Sequence, residues 1–238
     1  MKKHTLIAIL LLWMGVGYTN VSQAQVDVKI KPTLTSRHYW RGIMVSNSVN
    51  IETDLQFNFS RFQLGFYGGY ALEKGEYSEF DIHCFYNITN NLRLSIWDFY
   101  ASRGKASIDE YDYFDFDRLT TNHLINADLY YRRGNSPISL LWSTFLWGCD
   151  LDTDGDQRYS SYFELDYHFK VGTNNLTIFA GANVFDESAY ATKTAFVNVG
   201  ISCQNHIKIN DNFKLLVWAK VAMNPEKKTS NLIFGIGI

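Results

Sequence analysis

Beyond its first seventeen residues the chain has no stretch of eighteen apolar residues, which excludes a helical membrane span from the body of the protein. Proline is scarce, at 3 of 238 residues, and no Pro/Ser-rich linker or shift in composition divides the chain, so it reads as one domain. Cysteine is limited to Cys84, Cys149 and Cys203. There is no redox Cys pair, no zinc-type spacing and no nucleotide-binding glycine loop. Cys84 and Cys203 share the parity of their apolar neighbours and read as small buried or lipid-facing hydrophobes. One disulfide plus a free thiol is the alternative. An excess of positive charge is also missing, and nothing points to nucleic acid.

The chain opens as an exported one does. Lys2, Lys3 and His4 form a positive n-region, Thr5–Gly17 an apolar core, and Ser22-Gln23-Ala24 a small-x-small cleavage signal. Residues 1–24 are therefore expected to be a signal peptide, with 25–238 as the folded domain. A lone membrane anchor is the competing reading, but the apolar core is shorter than the ~20 residues a spanning helix needs. Loss of Lys2 and Lys3 with the leader leaves 20 basic and 24 acidic side chains, a net charge of −4.

From Val26 onward apolar residues recur with a period of two, in runs about as long as a tilted strand needs to cross a bilayer. Twelve strands are expected: Val26–Arg41, Val49–Ser60, Phe62–Leu72, Glu76–Asn87, Leu92–Ser102, Asn122–Arg132, Ile138–Gly148, Arg158–Lys170, Asn175–Phe185, Thr192–His206, Phe213–Met223 and Thr229–Ile238. Every second connection is tight (Ser60-Arg61, Ile88–Asn91, Arg133–Pro137, Val171–Asn174, Ile207–Asn212). The others include the two longest, Arg103–Thr121 and Cys149–Gln157. Short turns on one side and long loops on the other are the pattern of a bacterial outer-membrane barrel. The fold class expected is all-β: a single antiparallel up-and-down transmembrane β-barrel of about 12 strands. A soluble sandwich shows the same alternation of faces; the leader, the alternating turn lengths and the strand lengths favour the barrel.

Parity assigns the faces. Val49, Ile51, Leu55, Phe57 and Phe59 oppose Asn50, Glu52, Asp54, Gln56 and Asn58, and Ala195, Val197, Val199, Ile201 and Cys203 oppose Asn198, Gly200, Ser202, Gln204 and His206. In a barrel the polar set lines the lumen. The expected pore-lining residues are Lys29, Lys31, Arg37, Arg41, Glu52, Asp54, Asp81, His83, Arg93, Asp128, Arg132, Glu164, Asp166, His168 and Lys220, with Glu79, Lys170 and Lys214 of the same parity. The first four form a basic ladder on one strand, whose periplasmic members Lys29 and Lys31 are expected to stay free and to favour anions. Such charges must be paired or hydrated. Two readings follow: a narrow hydrated pore for small polar solutes, or a salt-bridged plug with a structural or surface-binding role. No cofactor is expected.

Two loops invite chemistry. Asp150, Asp152, Asp154 and Asp156 alternate around Gly155 like the first half of a calcium loop, but Ser161 stands where a full loop needs a bidentate Glu. Weak calcium binding, bridging of lipopolysaccharide through a cation, or a solvated acidic loop are the choices. Tyr111–Asp117 mixes aromatics with acids, as a loop folded into a pore mouth, a short hairpin or a self-packed Ω-loop would. Asp98 and His123 break the apolar parity near the outer rim, with Thr144 or Ser161 as a neighbouring hydroxyl, the makings of a lipid hydrolase on the outer wall. No His-x-Ser pair accompanies them, and charges at a wet rim cost little, so a non-enzyme is expected.

The run Thr33–Ile43 and the polar second strand from Asn50 to Leu55 resemble the start of the TorF-type porins, the Gcw family, where an S-x-Y-x-x-R-G-I run ends the first strand. Ser36, Arg41, Gly42 and Ile43 keep that spacing; His38 stands at the Tyr position, with Tyr39 one place later. The resemblance covers about 25 residues and implies an outer-membrane barrel of a Gram-negative cell, in contact with outer-membrane lipid and lipopolysaccharide. It names no solute and no oligomeric state.

Overall fold

A computed structural model of the chain describes residues 26–102 and 112–238. The expected leader and the first part of the longest loop, including Tyr111, lie outside the described residues. Fourteen strands follow in order: β1 (Asp27–Thr35), β2 (His38–Trp40), β3 (Ile43–Ser46), β4 (Asn50–Phe59), β5 (Phe62–Ala71), β6 (Ser78–Asn87), β7 (Leu92–Tyr100), β8 (His123–Tyr131), β9 (Ile138–Gly148), β10 (Ser161–Val171), β11 (Asn174–Asn183), β12 (Ala195–Lys208), β13 (Lys214–Asn224) and β14 (Thr229–Gly237). β1 and β4–β14 close into a twelve-stranded antiparallel barrel, each strand beside its sequence neighbour and β1 sealed against β14 through Thr33↔Gly237, Leu34↔Ile236 and Thr35↔Gly235. Closure leaves no edge open among the described barrel strands.

The barrel is apolar outside and polar inside, the inverse of a soluble domain. Outward-facing Ile30 is 62% exposed, while inward-facing His83 is 1% exposed. On β13, Lys220 and Ala222 face inward with Trp218, packed toward Phe179 and Ile233, and Val221 alternates to the outside. β14 sets Leu232, Phe234 and Ile236 outward and Ile233, Gly235 and Gly237 inward. Gly235 is required there: a Cβ would come within 2.2 Å of the Trp218 ring.

Two irregularities break strict parity. A bulge between Gly181 and Ala182 pairs Asn198 and then Phe196 with β11, skipping Val197. Val197 is thereby buried in an interior cluster with Phe145, Tyr162 and Tyr190, and Ala195 falls opposite inward-facing Asn183. The expectation that both lie on the lipid face with Val199, Ile201 and Cys203 is corrected. A second bulge skips Leu146 in β9.

The larger correction concerns the first strand. It was expected to run unbroken to Arg41 and ends at Thr35. Residues after Ser36 form the separate hairpin β2–β3, paired through Tyr39↔Met44 and Trp40↔Ile43. Arg41 and Gly42 make its turn with φ of 46° and 86°, both positive, as a type I′ hairpin turn demands.

Candidate functional site

The hairpin lies inside the barrel. Three sets of contacts hold it there. Trp40 packs on Phe145, Tyr190 and Phe99, with ring centroids 6.2, 5.9 and 5.5 Å apart. Tyr39 packs against the cluster of Phe179, Ala222 and Ile233 on the β11–β14 wall. At the tip, Arg41 donates to Asp128 Oδ1 at 2.8 Å and to Ser143 Oγ, and its guanidinium lies over the rings of Trp40 and Tyr162. Asn224 Nδ2 donates to the Gly42 carbonyl at 3.0 Å. A Cβ on Gly42 would stand 2.1 Å from the Val197 carbonyl oxygen, so the residue skipped by the β12 bulge is the one the turn docks against. Arg41 thus reaches the lumen from a loop that crosses it, and Arg37 belongs to the link between β1 and β2; neither extends a ladder on β1.

Between the hairpin and the β4–β8 wall lies a cavity of about 530 Å³. Its floor and walls are aromatic: Trp40 from the hairpin, Tyr67 from β5, and Trp97 stacked on Phe99 from β7. Its charged groups are Arg41, His38, Glu52, Glu79, Asp81 and Asp128. Asp128 is matched by Arg41. Glu52 accepts from His38 Nδ1 at 2.8 Å and from Thr35 Oγ1 at 3.1 Å. Glu79 accepts from the Tyr77 hydroxyl and has His38 Nε2 at 4.0 Å. Asp81, 2% exposed, accepts from the Tyr100 backbone N–H at 3.1 Å. The balance of the cavity is acidic.

The remaining lumen residues fall into three groups. Asp54 bonds His83 Nε2 at 2.9 Å, and His83 is stacked between Phe85 and Trp97 in the space left by Gly65. Across the hairpin, Glu164 bonds Tyr162 and Asn198, Asp166 and His168 share Ser139, and Lys220 lies within electrostatic reach of Glu52, Glu164 and Asp166. Near the tight turns, Arg93 lies over Phe85 and Tyr130, and Arg132 donates to the Ser136 carbonyl. Lys29 is not free: its ammonium is 3.1 Å from Asp27, and Lys31 stands in register with Asp54.

On the outer wall, His123 Nδ1 meets Asp98 at 2.9 Å, and its Nε2 is 2.7 Å from the Tyr113 carbonyl. Both ring nitrogens are engaged, and Phe116 stacks on the ring at 4.7 Å. The described part of the long loop therefore folds down over the outside of the barrel. Thr144 and Ser161 hydrogen-bond each other at 2.9 Å. Thr144 pairs with Ala127, four residues along β8 from His123, or about 13 Å at the usual strand rise. No hydroxyl joins the His123–Asp98 pair from there.

The acidic loop is not gathered as a ligand set. Both Asp150 oxygens accept from Ser160, whereas Asp152 accepts from the backbone N–H groups of Asp156 and Asp154, which hold its carboxyl below the usual range. Among the described residues no three His, Cys, Asp or Glu side chains cluster at metal-binding distance. Cys84, Cys149 and Cys203 are free thiols.

The sequence reading missed Trp40, Tyr67, Trp97 and Phe99 as cavity walls. The signal was present, because Tyr67, Trp97 and Phe99 have inward parity and the turn dipeptide Arg41-Gly42 closes a sixteen-residue strand that is longer than a bilayer crossing needs.

No protein-family model matches the chain, and no curated protein matches it. Among solved structures, the chain is similar to the crystal structure of OccAB3 from Acinetobacter baumannii, with a TM-score of 0.35 and 10% identity over 92% of this chain. The chain spans 65% of the length of that protein.

Proposed function

We propose that the protein is an outer-membrane β-barrel that works as a narrow porin-like channel for small polar solutes, with the β2–β3 hairpin as its constriction. The carrying observation is the hairpin inside a lumen walled by charged side chains, beside a cavity of about 530 Å³. Burying Arg41, Asp128 and Asp81 carries a desolvation cost. A solute path needs such groups to replace lost hydration. The apolar exterior supports the membrane reading, since water tolerates no continuous apolar belt of this extent. Outer-membrane lipid and lipopolysaccharide are then its surroundings. The Arg41-Gly42-Ile43 run that resembles the TorF-type porins lies at the hairpin tip of this chain.

The test is planar-bilayer conductance of the refolded protein beside a variant in which residues 37–47 are replaced by a short Gly/Ser linker. β1 and β4 keep their nine register pairs without the hairpin, so the barrel should still close. Small unitary currents from the parent chain and currents several-fold larger from the variant are expected. A silent parent chain would give way to the closed, structural barrel.

A further inference from the structure

We infer that the cavity between the hairpin and the β4–β8 wall is a binding site for a small organic cation, an ammonium or guanidinium carried on an apolar or aromatic frame. The inference rests on the lumen being reachable from water, as the channel reading holds. Its volume, about 530 Å³, lies in the ~300–1,000 Å³ range of small-molecule sites.

The walls select the charge. Glu79 and Asp81 stand two residues apart on the inward face of β6. The two carboxyl groups hydrogen-bond each other, which holds one proton between them, and a cation can take that proton's place. Besides that hydrogen bond, the pair receives the Tyr77 hydroxyl and the Tyr100 backbone N–H, and His38 stands 4.0 Å from Glu79. The other cavity charges are committed elsewhere: Arg41 to Asp128 at 2.8 Å, and Glu52 to the near nitrogen of His38 at 2.8 Å. The guanidinium that could have neutralised Glu79 and Asp81 is held at the other end of the cavity.

The walls also select the frame. Trp97 and Phe99 are stacked 5.5 Å apart, and Tyr67 faces the same space from β5. A cation over such rings gains cation–π attraction, most when it is desolvated. An inorganic cation keeps its water and has no use for the rings. An apolar molecule would leave the carboxylates unmatched.

Trp40 and Trp97 line the cavity, so binding reads out as tryptophan fluorescence of the refolded barrel in detergent, with no current required. The probes are benzyltrimethylammonium, benzyl alcohol and benzoate, of similar shape and different charge. A saturable change with the cation, with the alcohol and benzoate weaker by about tenfold or more, is expected. Glu79→Gln with Asp81→Asn should weaken cation binding by about tenfold and leave the alcohol unchanged. If the double variant does not refold, Glu79→Gln alone carries the comparison, since Glu79 lies nearer the strand end. Equal binding of the cation and the alcohol, or cation affinity unchanged in the variants, would overturn the inference. Selective cation binding by a barrel that passes no current would defeat the channel reading and leave this site standing.

Discussion

Arg41 concentrates the energetics of the lumen in one side chain. It adopts a positive φ, which costs a non-glycine residue ~1–2 kcal/mol, and its charge sits where only 10% of the side chain meets solvent. Both costs are offset by the Asp128 pair, the Ser143 hydroxyl and the flanking rings of Trp40 and Tyr162. Arg41→Ala should therefore destabilise the refolded barrel by about 3–5 kcal/mol, the usual cost of stranding a buried partner charge. Adding Asp128→Ala should return part of that loss, because no uncompensated carboxylate remains. Arg41→Lys should fall between, since a single ammonium cannot span the same fork of acceptors. Chemical denaturation in detergent micelles measures all three. A loss below about 1 kcal/mol for Arg41→Ala would mean that Asp128 is already hydrated. Arg41 was legible in the sequence as an inward charge. Its strained turn was marked only by the Arg41-Gly42 dipeptide, because apolar parity carries no record of where a strand stops pairing and folds back.

Strands were the most legible elements, and the reason is physical: lipid on one side and polar side chains on the other force a period of two. The register of β13 shows how far this goes. Val217 pairs with Ile236 and Asn205, and Leu216 pairs with Gly237 and His206, on opposite faces of the sheet. Val217→Arg, on the outward row of β13, should destabilise the barrel more than Leu216→Gln, which faces the lumen. Comparable losses in refolding assays would contradict the face assignment. Parity failed where a bulge intervened. Val197 has the sequence character of a lipid-facing residue, but the extra residue in β12 turns it into the interior against Phe145 and Tyr190. Nothing local in Ala195–Val199 marks that bulge, which is set by the hairpin tip it receives. Contacts between residues 42 and 197 cannot be read from either segment alone.

At the scale of the whole molecule, on the proposed channel reading, the distribution of charge decides selectivity, and folding rearranges the charges the sequence placed on one strand. A ladder of Lys29, Lys31, Arg37 and Arg41 on one strand would favour anions. Folding breaks the ladder: Arg41 crosses the lumen to Asp128, Arg37 leaves β1, and Lys29 meets Asp27. The Lys29–Asp27 side chains are 54% and 59% exposed, so bulk water and salt screen them, with a Debye length of ~10 Å at 0.1 M. Glu79, hydrogen-bonded to Asp81, stands beside the hairpin with aromatic walls around it, where screening is weaker and its charge acts more strongly on a passing ion. If the barrel conducts as proposed, it should therefore prefer cations, and the reversal potential across a potassium chloride gradient should have that sign. Glu79→Gln with Asp81→Asn should move it toward anions. Lys29→Glu with Lys31→Glu should move it less, since Lys29 is exposed beside Asp27 on the same strand and Lys31 faces Asp54 on β4. Raising the salt should shrink the lysine effect first. An anion-selective parent channel, or a larger shift from the lysines than from the carboxylates, would restore the ladder as the selecting element and reduce the acidic cavity to a structural feature of the barrel.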